Sequence, residues 1–228
     1  MTTVLLVRHG LTAMTGPVLA GWTPDVHLDD RGLAQATALA ERLLEVPLAA
    51  IVSSPLERCQ ETAAALAVGR ELPVRTDDRL GECRYGDWTG QELKKLAKDP
   101  LWKVVQAHPS AAQFPGGEAL RDTQARAVDA IRAHNAELRD DATWVAVSHG
   151  DVIKAVVADA LGAHLDMFQR IQIDPCSVTV IRYTPLRPFV VRVNDTGGDV
   201  SDLRPPKRRR RRRPSSDAPV GGGAGASA

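Results

Sequence analysis

Short apolar runs rich in β-branched residues alternate along this chain with stretches of helical period. Val4–Val7, Ala50–Ser53, Trp144–Ser148 and Ser177–Tyr183 have few polar positions, as expected of strands covered by helices on both faces. Val74–Thr76 is a lesser candidate. Between them, Leu33, Ala36, Leu39, Ala40 and Leu43 recur at helical spacing, and so do Ala125, Val128, Ile131 and Leu138. This alternation predicts a three-layer α/β/α sandwich around a mostly parallel sheet. The run Phe189–Asn194 follows Ser177–Tyr183 after Thr184–Pro188, a five-residue connection with two prolines. That length suits a hairpin, which would give the sheet an antiparallel edge strand.

The ends of two of these strands share a signature. Val4–Val7 runs into Arg8-His9-Gly10, and Trp144–Ser148 runs into His149-Gly150. Parallel strands of an open α/β sheet end on one side, so two histidines 140 positions apart can converge. A third strand leads into Ser54-Pro55-Leu56-Glu57, the pattern of a helix start with Ser54 as cap, Pro55 in the first helical position and Glu57 closing a capping box. Arg58 then falls in the first helical turn. Asp151 is placed to cap a helix over Val152–Leu161.

Composition bounds the size of the domain. A chain of 228 residues with 43% hydrophobic content can bury one substantial core. Residues 1–195 account for it as a single domain. From about Thr196 the chain turns to Gly, Asp, Pro and Ser, then Lys207 and six arginines, then a Gly/Ala/Ser/Pro-rich end. Residues 196–228 therefore read as a disordered tail. The overall charge of +1 conceals a tail at +5 and a domain at −4, so an anion site in the domain must be a local cluster of positive charge. No segment approaches eighteen consecutive apolar residues, and the expected location is cytoplasmic, with no membrane partner. Cys59, Cys83 and Cys176 are an odd count without CxxC spacing, so neither a disulfide framework nor a zinc site is indicated. His27, His108, His134 and His164 are scattered over different elements, and no metal is expected.

Arg58, on a helix start behind a strand, can present a guanidinium fork to an oxyanion while the helix N-terminus adds backbone donors. Together Leu6-Val7-Arg8-His9-Gly10, Ser53 to Thr62 and Val147-Ser148-His149-Gly150 occur in the order and spacing of a known family. Gly21, Leu28-Asp29-Asp30-Arg31-Gly32, Gln35-Ala36, Leu80, Glu82, Gly86, Trp88, Gly90 and Phe114-Pro115-Gly116-Gly117-Glu118 extend the match. The chain resembles the histidine phosphatase superfamily, the phosphoglycerate-mutase-like group, from residue 3 to about 183.

The resemblance implies that His9 is the nucleophile that becomes phosphohistidine. It implies that Arg8, Arg58 and His149 line the phosphate pocket and that Glu82 is the proton donor and acceptor. Thr12, Gly21 and Gly150 are expected around the phosphate, with Glu118 a further candidate, while Asp87 and Asp151 are other acids within reach. The chemistry fits these residue types: a neutral imidazole can attack phosphorus, and two arginines with a protonated His149 can stabilise the equatorial oxygens. No cofactor is called for. The chain departs from the family at Leu11 and Thr15, where Glu or Gln and Asn are frequent, which leaves substrate contacts beyond the phosphate open.

Three readings of function follow. The first is a metal-independent phosphomonoester hydrolase acting on a small phosphorylated metabolite, as a monomer or homodimer. It is favoured because the short segment Gln91–Gly117 resembles that of the family's phosphatase members and has no long basic insertion like that of its cofactor-dependent mutases. The second is a phosphomutase with the same phosphohistidine step. The third, of another class, is a polyanion-binding protein acting through residues 207–213, whose contacts with nucleic acid would be nonspecific because the tail has no aromatic residue for stacking. Cys176 and Arg182 also match the C-x5-R spacing of cysteine phosphatases. The β-branched residues between them predict a strand that holds the two ends roughly 20 Å apart rather than a phosphate loop.

Overall fold

A computed structural model describes residues 1–198 and Gly221. Six strands form one sheet, β1 (Thr2–Arg8), β2 (Ile51–Ser53), β3 (Val74–Thr76), β4 (Ala142–Ser148), β5 (Val178–Tyr183) and β6 (Pro188–Asp195), in the order β3-β2-β4-β1-β5-β6. The first four strands are mutually parallel, and β5 runs antiparallel to both β1 and β6. The predicted mostly parallel α/β sandwich and its antiparallel edge hairpin are both present.

The helices are α1 (Asp30–Arg42), α2 (Glu57–Ala67), α3 (Leu93–Leu96), α4 (Pro100–Ala107), α5 (Leu120–Glu137) and α6 (Gly150–Ala160). Alternate residues of the central strands feed opposite layers. Val4, Leu6, Trp144 and Ala146 pack with α5 and α6, whereas Leu5, Val7, Val145 and Val147 pack with α1 and α2. A third cluster, with Tyr85, Trp88, Trp102, Phe114 and Phe168, secures the segment between β3 and α5.

Two predicted helix starts are capped differently from expectation. Helix α2 begins at Glu57 with Leu56 as its cap residue and no side-chain bond from that residue, while the Ser54 hydroxyl meets His149 at 2.8 Å and accepts the Leu56 N–H at only 3.4 Å. Helix α6 begins at Gly150 with His149 as cap residue. Asp151 lies inside its first turn, and its carboxylate bonds side chains rather than the helix backbone.

The register of β1 against β4 determines where the two histidines fall. Arg8 stands opposite Ser148, so both strands end level, and the His9 N–H continues the ladder to the Ser148 carbonyl at 3.0 Å. Gly10 then passes the start of α1 so closely that a Cβ there would lie 2.7 Å from the Gly32 carbonyl oxygen. A side chain at position 10 would force the turn out of line.

Candidate active site

The rings of His9 and His149 meet edge to face with centroids 5.2 Å apart. His9 sets its Nδ1 2.7 Å from the Gly10 carbonyl oxygen. A carbonyl only accepts, so Nδ1 carries the hydrogen and Nε2 of the neutral ring keeps its lone pair. Arg58 Nε donates to that Nε2 at 3.3 Å. Burial, followed by the charges of Arg58 and Arg8, pushes His9 well below the usual histidine range. The ring is therefore neutral, and His9 lines the cavity with its unprotonated Nε2 beside Arg58.

Arg58 sits in the first turn of α2, where its Nη2 donates to the Gly21 carbonyl at 2.8 Å and approaches His149 Nδ1 at 3.3 Å. Its Nη1 is buried without a hydrogen-bond partner, a donor that an incoming oxyanion would satisfy. Glu61 does not compete for Arg58, since its carboxylate bonds His27 and the Leu28 N–H. Arg8 is held by the Ile173 carbonyl at 2.8 Å through Nη1. Its Nη2 lies 3.4 Å from the carbonyl oxygen of Gly221.

His149 is fully buried, with Nε2 beside Ser54 Oγ and Cys59 Sγ and with Nδ1 3.8 Å from Glu82 Oε2. Burial and the Arg58 charge push it well below the usual range. Without a phosphoryl group the ring is therefore neutral, and the protonated His149 expected from sequence would take up its proton against that added negative charge. The Cys59 thiol beside it is pushed up to about 12, mainly by burial, and so stays protonated. Cys176 is also buried and pushed up to about 12. The strand β5 separates it from Arg182, as the β-branched run predicts.

Glu82 lies between two short 3-10 turns, Asp78–Leu80 and Gly86–Trp88. Arg126 on α5 grips this segment through the carbonyls of Arg79, Gly81 and Glu82. Ser148 Oγ donates to the Leu80 carbonyl and ties the segment to the end of β4. Oε1 of Glu82 accepts the Cys83 N–H at 2.9 Å. Burial first, then Asp151, raises its pKa to about 7, against the opposing effects of Arg58, the Cys83 N–H and Arg8. Glu82 can therefore hold a proton near neutral pH and release it.

Arg8, His9, Thr12, Gly21, Arg58 and Glu82 line one cavity, whose outer wall is formed by Thr15, Gly16, Val18, Leu19, Ala20, Leu93 and Gly221. Gly150 opens α6 and does not line it. Glu118 is turned away into a pair with Arg126 at 2.6 Å, and Asp87 is exposed. Tyr85, Lys154, Ser54 and Trp22 were not anticipated at the site. Ser54 could have been found from its place one residue past a strand end. The others are brought there only by tertiary packing. Among the described residues no group of three His, Cys, Asp or Glu side chains could hold a metal ion. No helix of the described residues is long and apolar enough to cross a membrane.

The sequence profile of the histidine phosphatase superfamily (branch 1) matches residues 4–196. Phosphoserine phosphatase 1 of Hydrogenobacter thermophilus is 30% identical over 210 residues, covering 86% of this chain and 93% of that protein. A probable phosphoglycerate mutase of Cronobacter sakazakii is 29% identical over 211 residues, covering 90% and 97%. Among solved structures, a mycobacterial glucosyl-3-phosphoglycerate phosphatase superposes with a TM-score of 0.77 at 28% identity, covering 85% of this chain and 98% of that one.

Proposed function

This chain belongs to the histidine phosphatase superfamily, and on that premise we propose that it hydrolyses a small phosphomonoester through a phosphohistidine on His9. The observation that carries the reading is the His9 Nδ1 bond to the Gly10 carbonyl. It leaves Nε2 as the nucleophilic atom and supports the positive charge that the ring acquires on phosphorylation.

In the first step His9 Nε2 forms a bond to phosphorus as the ester P–O bond breaks, and Glu82 delivers its proton to the departing alkoxide. Arg8, Arg58 and the N-terminus of α2 face the phosphoryl oxygens and stabilise their charge. These groups supply the positive charge that the transfer needs, so the mechanism requires no metal ion. In the second step the Glu82 carboxylate takes a proton from water, whose oxygen bonds to phosphorus as the P–N bond breaks. Phosphate leaves and neutral His9 returns.

A phosphomutase would share the first step, and the Cronobacter relative carries that name. Hydrolysis is favoured because the cations lining the cavity among the described residues are Arg8 and Arg58, both at the phosphoryl position. Among the described residues no third cation lines the cavity beside Val18, Leu19 and Leu93 to hold a second anionic group of a retained intermediate.

The test is phosphate release from a panel of monoesters, with EDTA present, by the wild type and His9→Ala, together with a rapid quench for acid-labile, base-stable phosphate on the protein. Full activity in His9→Ala would overturn the reading. Transfer between glycerate positions in place of phosphate release would favour the mutase. Residues 207–213, whose basic run suggested polyanion binding, lie outside the described residues.

A further inference from the structure

One buried carboxylate beside the site has no part in the mechanism above. Asp151, in the first turn of α6, is almost fully buried and bonded on both oxygens. Its Oδ2 accepts from the Tyr85 hydroxyl at 2.9 Å and from the Gly221 N–H at 3.0 Å. Its Oδ1 lies 3.4 Å from Lys154 Nζ, itself buried one turn further along the helix and bonded to Gln169. Tyr85 is three residues beyond Glu82, on the same segment. The segment is therefore held at one side by the Arg126 grip and at the other by the Tyr85 hydroxyl on Asp151.

We propose that Asp151 is a positioning residue acting through Glu82: it holds the Tyr85 hydroxyl on α6 and so anchors the segment that carries Glu82, and it sets a second carboxylate against the wall of the cavity that Glu82 lines. The assignment of Glu82 as proton donor rests on the proposed phosphatase reading, whereas the electrostatic link between the two carboxylates does not.

The groups around Glu82 make the direction of the effect definite. Arg8 from β1 and Arg58 from α2 draw its proton off, and so does the Cys83 N–H. His149, at the start of α6, is neutral, and the Cys83 thiol and Tyr85 hydroxyl stay protonated because burial raises both well above their usual ranges. Among these neighbours Asp151 is the negative charge that opposes the two arginines. Lys154 lies against Asp151 rather than against Glu82, and stabilises the buried carboxylate there.

The experiment is a carbon-13 NMR titration of the Glu82 carboxyl in the full chain, assigned by its loss in Glu82→Gln. Asp151→Asn keeps an acceptor for Tyr85 and removes the charge, and is expected to lower the Glu82 midpoint by about one pH unit. Because that variant leaves Lys154 buried without its counter-charge, Asp151→Asn/Lys154→Met is measured beside it, and the downward shift should persist. Tyr85→Phe keeps the charge and removes the anchor, and is expected to lower kcat while leaving the midpoint within a few tenths of a unit. An unchanged Glu82 midpoint in both Asp151 variants would overturn the proposal.

If no monoester is hydrolysed, the phosphatase reading fails while the titration still decides the coupling. If hydrolysis is found, the alkaline limb of kcat/KM should move with the midpoint.

Discussion

Arg58 Nε stands 3.3 Å from His9 Nε2 and donates to it, so a permanent cation lies beside the atom proposed to attack phosphorus. The same guanidinium reaches the Gly21 carbonyl and His149 Nδ1, which holds its plane across the mouth of both rings. Its contacts with Gly21 and His149 hold it beside the phosphoryl position, while its Nε must release the His9 lone pair to the incoming phosphorus and turn that donor to a phosphoryl oxygen.

Substituting Arg58 by Lys tests the geometry apart from the charge. A lysine ammonium cannot serve Gly21, His9 and His149 together from a planar fork. The expected outcome is a kcat/KM lower by about 10²- to 10³-fold, with the fold intact by circular dichroism. His9→Ala should lose about 10³-fold or more in kcat and all acid-labile phosphate on the protein. Comparable rates for Arg58→Lys and the wild type would show that charge alone suffices.

Glu82 governs the pH dependence. With its pKa raised to about 7, the protonated acid needed for leaving-group departure is lost as pH rises, and kcat/KM should fall above about pH 7. His9 is depressed well below the usual histidine range by burial and by Arg58 and Arg8, so the acid limb, where the nucleophile becomes protonated, should lie well below that range too. Stability follows the same sign. Between the ordinary glutamate range and pH 7 the folded state binds more protons than the unfolded state, so stability falls as pH rises through that window. Glu82→Gln, inactive or nearly so, is therefore expected to have a higher Tm than the wild type at pH 8 and a smaller advantage at pH 5, as read by calorimetry.

How much of this was legible in the chain depends on the range of the interactions involved. The strands were recognisable because a parallel sheet covered on both faces demands continuous apolar runs, as in Val4–Val7 and Trp144–Ser148. The convergence of His9 and His149 followed from strands ending on one side, although the Arg8–Ser148 register that levels them is a tertiary fact. Local rules failed where a polar side chain found a distant partner. Ser54 and Asp151 both satisfy capping patterns, yet one bonds His149, 95 residues away, and the other Tyr85, 66 residues away. The raised pKa of Glu82 was equally hidden, because it depends on burial and on a charge carried by another element.

Arg126 has no contact with the cavity, yet it fixes the segment that bears Glu82. It donates to three carbonyls there and pairs with Glu118, which in turn accepts the Arg84 N–H. Arg126→Met keeps much of the apolar stem and removes every donor. Losing these exposed and part-buried bonds together with the Glu118 pair should cost about 1–3 kcal/mol of stability, and the loosened acid should lower kcat more than it raises KM. A variant with the wild-type Tm and kcat would show that the segment is held by its apolar packing alone.

Gly221 is the one described residue beyond position 198, and it lies in the wall of the cavity. Its carbonyl faces Arg8 and its N–H faces Asp151, so it engages a guanidinium that the phosphoryl group would need. The Arg8 contact is long, at 3.4 Å, and a phosphate dianion is a far stronger acceptor than a peptide carbonyl. Substrate should therefore displace Gly221 at modest cost. A chain ending at Gly198 is expected to keep its kcat and to show a KM lower by roughly two- to fivefold, under 1 kcal/mol of competition. The same deletion removes Lys207–Arg213, so any salt-sensitive retention on heparin should vanish with it. A higher KM in the shortened chain would mean instead that Gly221 helps to build the substrate site.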